Sequence, residues 1–155
     1  MRKFEKISEK EFLKDVSNGN YEDILLPKRS TKNSAGYDFY SLYDITIKPN
    51  EIVKIPTGIK VCMNENEFLG IFIRSSLGFK YNIRMCNQVG IIDADYYNNV
   101  SNEGHIYFQI MNLSPFNIQI KKGDIIGQGI LLPYEITEDD IPGEERTGGF
   151  GSTSK

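Results

Sequence analysis

Two periodicities divide the chain. Residues 4–19 have helical spacing: Ser8-Glu9-Lys10-Glu11 fits a capping box, and Ile7 can staple onto Phe12 across it. Phe12, Leu13 and Val16 then share one face, and Asn18-Gly19 supplies a C-terminal stop, so the spacing predicts one short helix over about 8–18, packed on the outside of a β body. From Ile24 onward the period drops to two, in short runs separated by turn residues roughly every ten positions. Runs at 45–48 and 52–55 flank Pro49-Asn50, and others follow at 59–63, 68–73, 106–111, 116–120 and 125–132. That many strands in this length predicts an all-β fold, a sandwich, jelly roll or barrel, with its body over about 24–134. The pattern fails after residue 143, where a Gly/Ser/Thr-rich tail holds Phe150 as its one large apolar residue. The expected organisation is one domain, 1–143, followed by a flexible C-terminal arm, 144–155.

Composition narrows the chemistry. At 155 residues, 39% hydrophobic and 25% charged, the chain can bury a core, and it is neither disordered nor collagen-like. A net charge of −3 gives no global field to gather nucleic acid, so a polyanionic ligand must be held by a few local cations. No apolar run approaches the length of a membrane span, and residues 1–6 lack the apolar middle of a signal peptide. The expectation is a cytoplasmic protein with neither membrane nor nucleic acid as partner. Cys62 and Cys86 stand in apolar contexts outside any CxxC pattern and read as reduced core residues. With His105 as the one histidine, there is almost no material for a protein-built zinc site or a serine triad.

Five segments carry candidate chemistry. In VGIIDADYY (89–97), an apolar strand delivers Asp93, Asp95, Tyr96 and Tyr97 to one turn. One acid could serve as a general base beside a ring that packs on a ligand, or the acids could simply hold a hairpin turn. In AGYDFYS (35–41), Gly36 admits close backbone approach, while Tyr37 and Phe39 face one way and Asp38 the other. RSSLG (74–78) brings a guanidinium and the hydroxyls of Ser75 and Ser76 to a strand end, a natural setting for phosphate and equally an ordinary surface turn. GDIIGQG (123–129) sets the amide of Gln128 among apolar and glycine residues, where it needs a backbone or ligand partner. RTGGFGST (146–153) combines Arg146, Phe150, Ser152 and Thr153 in a tail that could order over a planar, phosphorylated ligand.

In this order, the five segments resemble the five motifs of the trimeric dUTPase family, across about residues 35–153. The resemblance implies a β jelly roll of the β-clip type, a homotrimer, and active sites each built from three chains, with the arm closing over a neighbour. It implies hydrolysis of dUTP to dUMP and pyrophosphate, with Asp93 as the general base that activates water against the α-phosphorus. Tyr96 resembles the ring that packs on deoxyribose and leaves no room for a 2′-hydroxyl. The hairpin carrying Asn87, Gly90 and Ile92 resembles the uracil pocket, and Phe150 resembles the ring stacked over the base. Arg74, Ser75, Ser76 and Gln128 resemble phosphate ligands; Arg146, Ser152 and Thr153 resemble the arm's contacts to the γ-phosphate. Asp38 and Asp124 are expected to support the trimer and the water shell of Mg²⁺, which would arrive bound to the triphosphate rather than to protein ligands.

Three departures stand out. Ser76 replaces the glycine usual after the phosphate-binding serine, and the arm has one residue fewer than the commonest form between Arg146 and the double glycine. Residues 97–105 are longer than the family's usual turn and resemble the variant of low-GC Gram-positive bacteria and their phages. A phage-type relative would add a protein partner, for which 98–104 or the helix is a candidate contact. The rival reading is a dCTP deaminase of the same fold; such enzymes place a glutamate in the strand where this chain has Gln109, which cannot relay protons.

Overall fold

Strands β3 (Ile45–Ile47) and β10 (Ile118–Ile120) show how the alternation is used: each buries its two outer isoleucines and exposes the polar residue between them. They pair antiparallel with Ile118 opposite Ile47. The computed structural model describes residues 1–17, 19–143 and 149. Among these, the remaining strands are β1 (Lys3–Lys6), β2 (Tyr37–Tyr40), β4 (Ile52–Pro56), β5 (Ile59–Cys62), β6 (Glu67–Ile73), β7 (Ile83–Met85), β8 (Gly90–Asp93), β9 (Tyr107–Asn112) and β11 (Ile125–Pro133). Two short helices, α1 (Glu9–Asp15) and α2 (Ser75–Tyr81), complete the regular structure.

All pairings between the strands are antiparallel. One sheet runs β2-β11-β6-β8, a second runs β4-β9-β7, and β1-β5 and β10-β3 form two-stranded ribbons. Phe39 of β2 meets Phe108 of β9 with ring centroids 5.4 Å apart, so the two larger sheets share one core. Gly127 makes that contact possible: a Cβ there would lie 2.2 Å from Phe108 Cε1 and 2.6 Å from the Phe72 carbonyl oxygen. The register of β11 against β2 slips between Ile125 and Gly127, a bulge that sets the direction of the residues beyond it. The all-β body expected from the period-two runs is therefore present.

The N-terminal region departs from the sequence expectation in instructive ways. Residues 3–6, assigned to the start of the helical stretch, form β1 along β5, with Phe4 opposite Val61. Phe4 packs on both Tyr37 and Phe39, and this aromatic contact outweighs helix propensity. The helix itself starts where expected: Ser8 is the N-cap and its Oγ accepts from Glu11 N at 3.2 Å. The reciprocal half of the capping box is supplied by Glu103 instead of Glu11, its carboxylate accepting from Ser8 N at 2.9 Å. Phe12 and Val16 are buried, each a contribution of about 2 kcal/mol to docking the helix, whereas Leu13 is 57% exposed and does not share their face. The helix ends at a Val16 C-cap, before the expected stop; Asn18 lies outside the described residues.

Other expectations are corrected locally. Helix α2 was not foreseen, because RSSLGFKY has no helical apolar period; only Leu77 of it is buried. The strand expected at 116–120 begins at Ile118, since the Phe116 carbonyl is held by Asn112 Nδ2 at 2.7 Å in the preceding turn. Cys62 is half-buried and Cys86 exposed, so neither is a core residue, although both are free thiols as expected. Among the described residues, no helix is long and apolar enough to cross a membrane.

Candidate active site

Three stretches distant in sequence line one cavity of about 390 Å³: the turn and strand start at Ser30, Ser34, Gly36 and Asp38, the strand end at Arg74, Ser75 and Ser76, and β11 at Gln128. Pairing brings them together. In the central sheet Gln128 stands opposite Asp38 of β2 and opposite Phe72 of β6, so the ends of three adjacent strands open at the same place. Gly36 gives Gln128 its room: a Cβ at that glycine would fall 2.2 Å from Gln128 Oε1. Asp38 accepts a hydrogen bond from Ser30 Oγ, and its backbone N donates to the Lys28 carbonyl at 2.9 Å. Arg74 is fixed by its backbone, which donates to Ile126 O at 3.3 Å and accepts from Leu77 N at 3.0 Å, while its guanidinium is exposed. A guanidinium, hydroxyls and an amide converging on one polar cavity are donor types that phosphate oxygens can accept from.

Ser30 and Ser34 were not singled out from sequence. The stretch 30–34 reads as an ordinary polar turn, and its placement beside Asp38 depends on the Lys28–Asp38 bridge, which no local pattern announces. Asp124 is a turn residue: its carboxylate accepts from Lys121 N at 2.8 Å and its carbonyl from Ser41 N at 2.8 Å, which closes the connection into β11.

A second group of expected residues collects along β8. Gly90 opposes Ile71, and a Cβ on Gly90 would lie 2.4 Å from Ile71 Cγ1 and 3.5 Å from Asn87 Nδ2, so this glycine brings the hairpin amide close to the sheet. Ile92 is half-buried, Asp93 opposes Phe68 and is exposed, and a 3-10 turn over Ala94–Tyr96 follows. The in–out alternation of β8 carries on through that turn, with Tyr96 inward at 7% exposure and Asp93 and Asp95 exposed. In a single chain the two groups do not converge. Asp93 sits beside Phe68 at one end of β6, and Arg74 follows the other end, a span of about 20 Å at 3.3 Å per residue.

Behind Tyr96 lies His105, with no exposed surface. Its Nε2 accepts from Gly58 N at 2.9 Å, so the neutral ring carries its proton on Nδ1, which faces Asp15 Oδ2 at 3.5 Å. Burial pushes the His105 pKa down to about 4, against the opposing pull of Asp15; Lys54 nearby adds to the fall. Burial and the hydrogen bond to Asp15 raise the Tyr107 hydroxyl, so it stays protonated. This histidine is thus a neutral structural group.

Arg146, Phe150, Ser152 and Thr153 lie outside the described residues. Of the arm, Gly149 is described: a Cβ on it would stand 2.6 Å from Tyr96 Cε2, so it passes the ring too closely for any side chain. Among the described residues no three His, Cys, Asp or Glu side chains form a metal-binding group.

The described residues thus form a mostly β body with a polar cavity holding Arg74 and Asp38 at its strand ends, and an exposed carboxylate next to a clamped tyrosine. Comparison with known proteins makes this specific. The dUTPase family model matches residues 22–154, and the chain belongs to that family. The deoxyuridine 5′-triphosphate nucleotidohydrolase of Lactococcus lactis is 45% identical over 132 residues, which cover 84% of this chain and 88% of that one. The crystal structure of the dUTPase from Streptococcus mutans superposes with a TM-score of 0.74 at 36% identity, over 88% of this chain and 98% of that one. The dUTPase from phage phi11 of S. aureus shares the fold at a TM-score of 0.70 and 20% identity, over 93% and 97% of the two chains.

Proposed function

We propose that this chain hydrolyses dUTP to dUMP and pyrophosphate in a trimer whose sites are shared between subunits. The observation that supports the reading is the separation along β6 of the polar cavity at Arg74 and Gln128 from Asp93, at the far end of a strand whose Gly90 lies nearer, opposite Ile71. Two copies of the chain facing each other can join the cavity of one to the Asp93 of the other, which a monomer cannot do over about 20 Å. An apolar groove beside α2 supports association, since it exposes Ile52, Phe79 and Leu113 next to Met85 and Met111, with Phe79 96% exposed.

In this mechanism Arg74, Ser75, Ser76 and Gln128 bind and orient the triphosphate, and Asp93 takes the proton from a water aimed at the α-phosphorus. Asn87, Gly90 and Ile92 meet the uracil edge and Tyr96 covers C2′ of the sugar. Arg146, Ser152, Thr153 and Phe150 of a neighbour's arm close over the γ-phosphate and the base. A structure of the phage phi11 dUTPase concerns a structural Mg(II) ion in that protein. Here Asp38 in the cavity is placed to meet the waters of Mg²⁺ carried by the triphosphate, while Asp124 holds the turn into β11. Bound there, the ion would neutralise developing charge on the phosphates. A role in limiting dUTP and supplying dUMP, in the cytoplasm where nucleotides are pooled, follows from this reaction.

The test is a product assay with Mg²⁺ and dUTP, dTTP or dCTP in separate reactions. Pyrophosphate and dUMP from dUTP alone are expected. Ammonia from dCTP would favour the deaminase reading, against which exposed Gln109 on β9, opposite Lys54, now stands.

A further inference from the structure

The segment 97–105 and the N-terminal helix have no part in the proposed reaction, yet the segment holds Tyr96 and the helix N-cap holds the segment. The phenol oxygen of Tyr96 accepts from Asn102 Nδ2 at 2.7 Å and donates to the His105 carbonyl at 2.9 Å. The Tyr96 carbonyl accepts from Asn99 Nδ2 at 2.8 Å. Both ends of the residue are therefore held by one segment.

That segment is itself internally fixed. Asn99 Oδ1 accepts from Ser101 N at 3.0 Å, Ser101 Oγ at 2.7 Å and Asn102 N at 3.2 Å. Asn102 Oδ1 accepts from Asn99 Nδ2 at 2.8 Å and Gly104 N at 3.1 Å. These bonds settle the orientation of both amides, because a flip would set an NH₂ against N–H donors. Gly104, at φ +85°, passes the Tyr96 carbonyl where a Cβ would come to 2.7 Å.

The outer side is clamped to α1, which precedes the matched family region, and to β5 within it. Glu103 accepts from Ser8 N at 2.9 Å and Ser8 Oγ at 2.6 Å, at the start of α1. Lys60 of β5 donates to Asn98 Oδ1 at 2.7 Å and lies 3.7 Å from Glu103.

We propose that residues 97–105, anchored through Glu103 on the N-cap Ser8 of α1, are a buttress that sets how closely Tyr96 approaches the substrate sugar, with Asn102 as the positioning residue for 2′-deoxy selection. The inference rests on Tyr96 being the ring against C2′. A ring held at both its hydroxyl and its carbonyl cannot retreat to admit a 2′-hydroxyl; a ring released at its hydroxyl can. The buttress acts on discrimination, not on the hydrolytic step.

The experiment compares kcat/KM for dUTP and UTP in the wild type, Asn102→Ala, Glu103→Gln and Tyr96→Phe, and in Asn102→Ala combined with Tyr96→Phe. Asn102→Ala removes the donor to Tyr96 and offers its hydroxyl no acceptor in exchange. The UTP-to-dUTP ratio should rise about tenfold, the worth of one such hydrogen bond. Glu103→Gln, which touches neither Tyr96 nor substrate, should shift the ratio in the same direction by less. Adding Asn102→Ala to Tyr96→Phe should leave the ratio of Tyr96→Phe unchanged, which a general loss of stability would not produce. If the wild type prefers dUTP and neither Asn102→Ala nor Glu103→Gln moves the ratio, the buttress is overturned while the proposed reaction stands. A wild type that cleaves no dUTP removes the proposed reaction itself.

Discussion

The two halves of the site are held in opposite ways. On the phosphate side Arg74, Ser75 and Ser76 are exposed, and only their backbone is fixed, by the start of α2 and the bond to Ile126. On the sugar side Tyr96 is buried and held at its hydroxyl and its carbonyl, above a fully buried histidine. The contrast fits the work each half has in the proposed reaction. A triphosphate is bound by charge, and long-range attraction tolerates side chains that adjust to it. Telling hydrogen from hydroxyl at C2′ is a matter of a single atom, and contact distances discriminate only if the wall cannot yield.

The largest expected effect joins the halves. Asp93→Asn keeps the shape of β8 and removes the base, so turnover should fall by about 10²–10⁴-fold while calorimetry still detects dUTP binding. Full turnover in that variant would place the base elsewhere.

Acid should strike the sugar half next. The folded protein keeps His105 neutral down to about 4 against an ordinary value of 6.5, so the unfolded chain takes up this proton first as pH falls. The associated stability is complete above pH 6.5 and is lost between 6.5 and 4, roughly 3 kcal/mol in total. Denaturant midpoints at pH 7 and 4.5 should differ in the wild type and converge in His105→Gln. Glu103, held below the carboxylate range chiefly by its hydrogen bond from Ser8, adds stability that disappears at still lower pH.

On the phosphate side, Arg74→Ala should reduce kcat/KM for dUTP by about 10–100-fold, the range for a charge-assisted hydrogen bond, without moving the thermal midpoint. Gly36→Ala should have the smallest effect of the series, a loss of up to about tenfold, because its methyl displaces the flexible end of Gln128 rather than backbone. An unchanged kcat/KM in both variants would remove the cavity from the phosphate path.

The same contrast explains what the sequence revealed. Arg74, Ser75, Gln128 and Asp93 could be singled out as candidates because they stand at the ends of apolar runs in the order of the five motifs, and the period-two runs located those strands. Tyr96 was visible as a residue, and strict alternation from Gly90 already points it inward, but its restraint was not: Asn99, Asn102 and Gly104, which hold it, lie further on and are chosen by no local pattern. The Ser8 cap was legible, but its partner Glu103 lies 95 residues away, and no local rule can choose it over Glu11. Helix α2 escaped for a related reason. It is placed by the backbone of Arg74 bonding to β11 and by burial of Leu77 alone, so it leaves no amphipathic stripe to read.

The proposed site selects the deoxy sugar of a uridine triphosphate, and the most direct measurement is the wild-type kcat/KM for dUTP against UTP with Mg²⁺ present. A strong preference for dUTP, at least a hundredfold if Tyr96 is as closely held as its bonds imply, is the predicted result. Equal cleavage of the two nucleotides would contradict it.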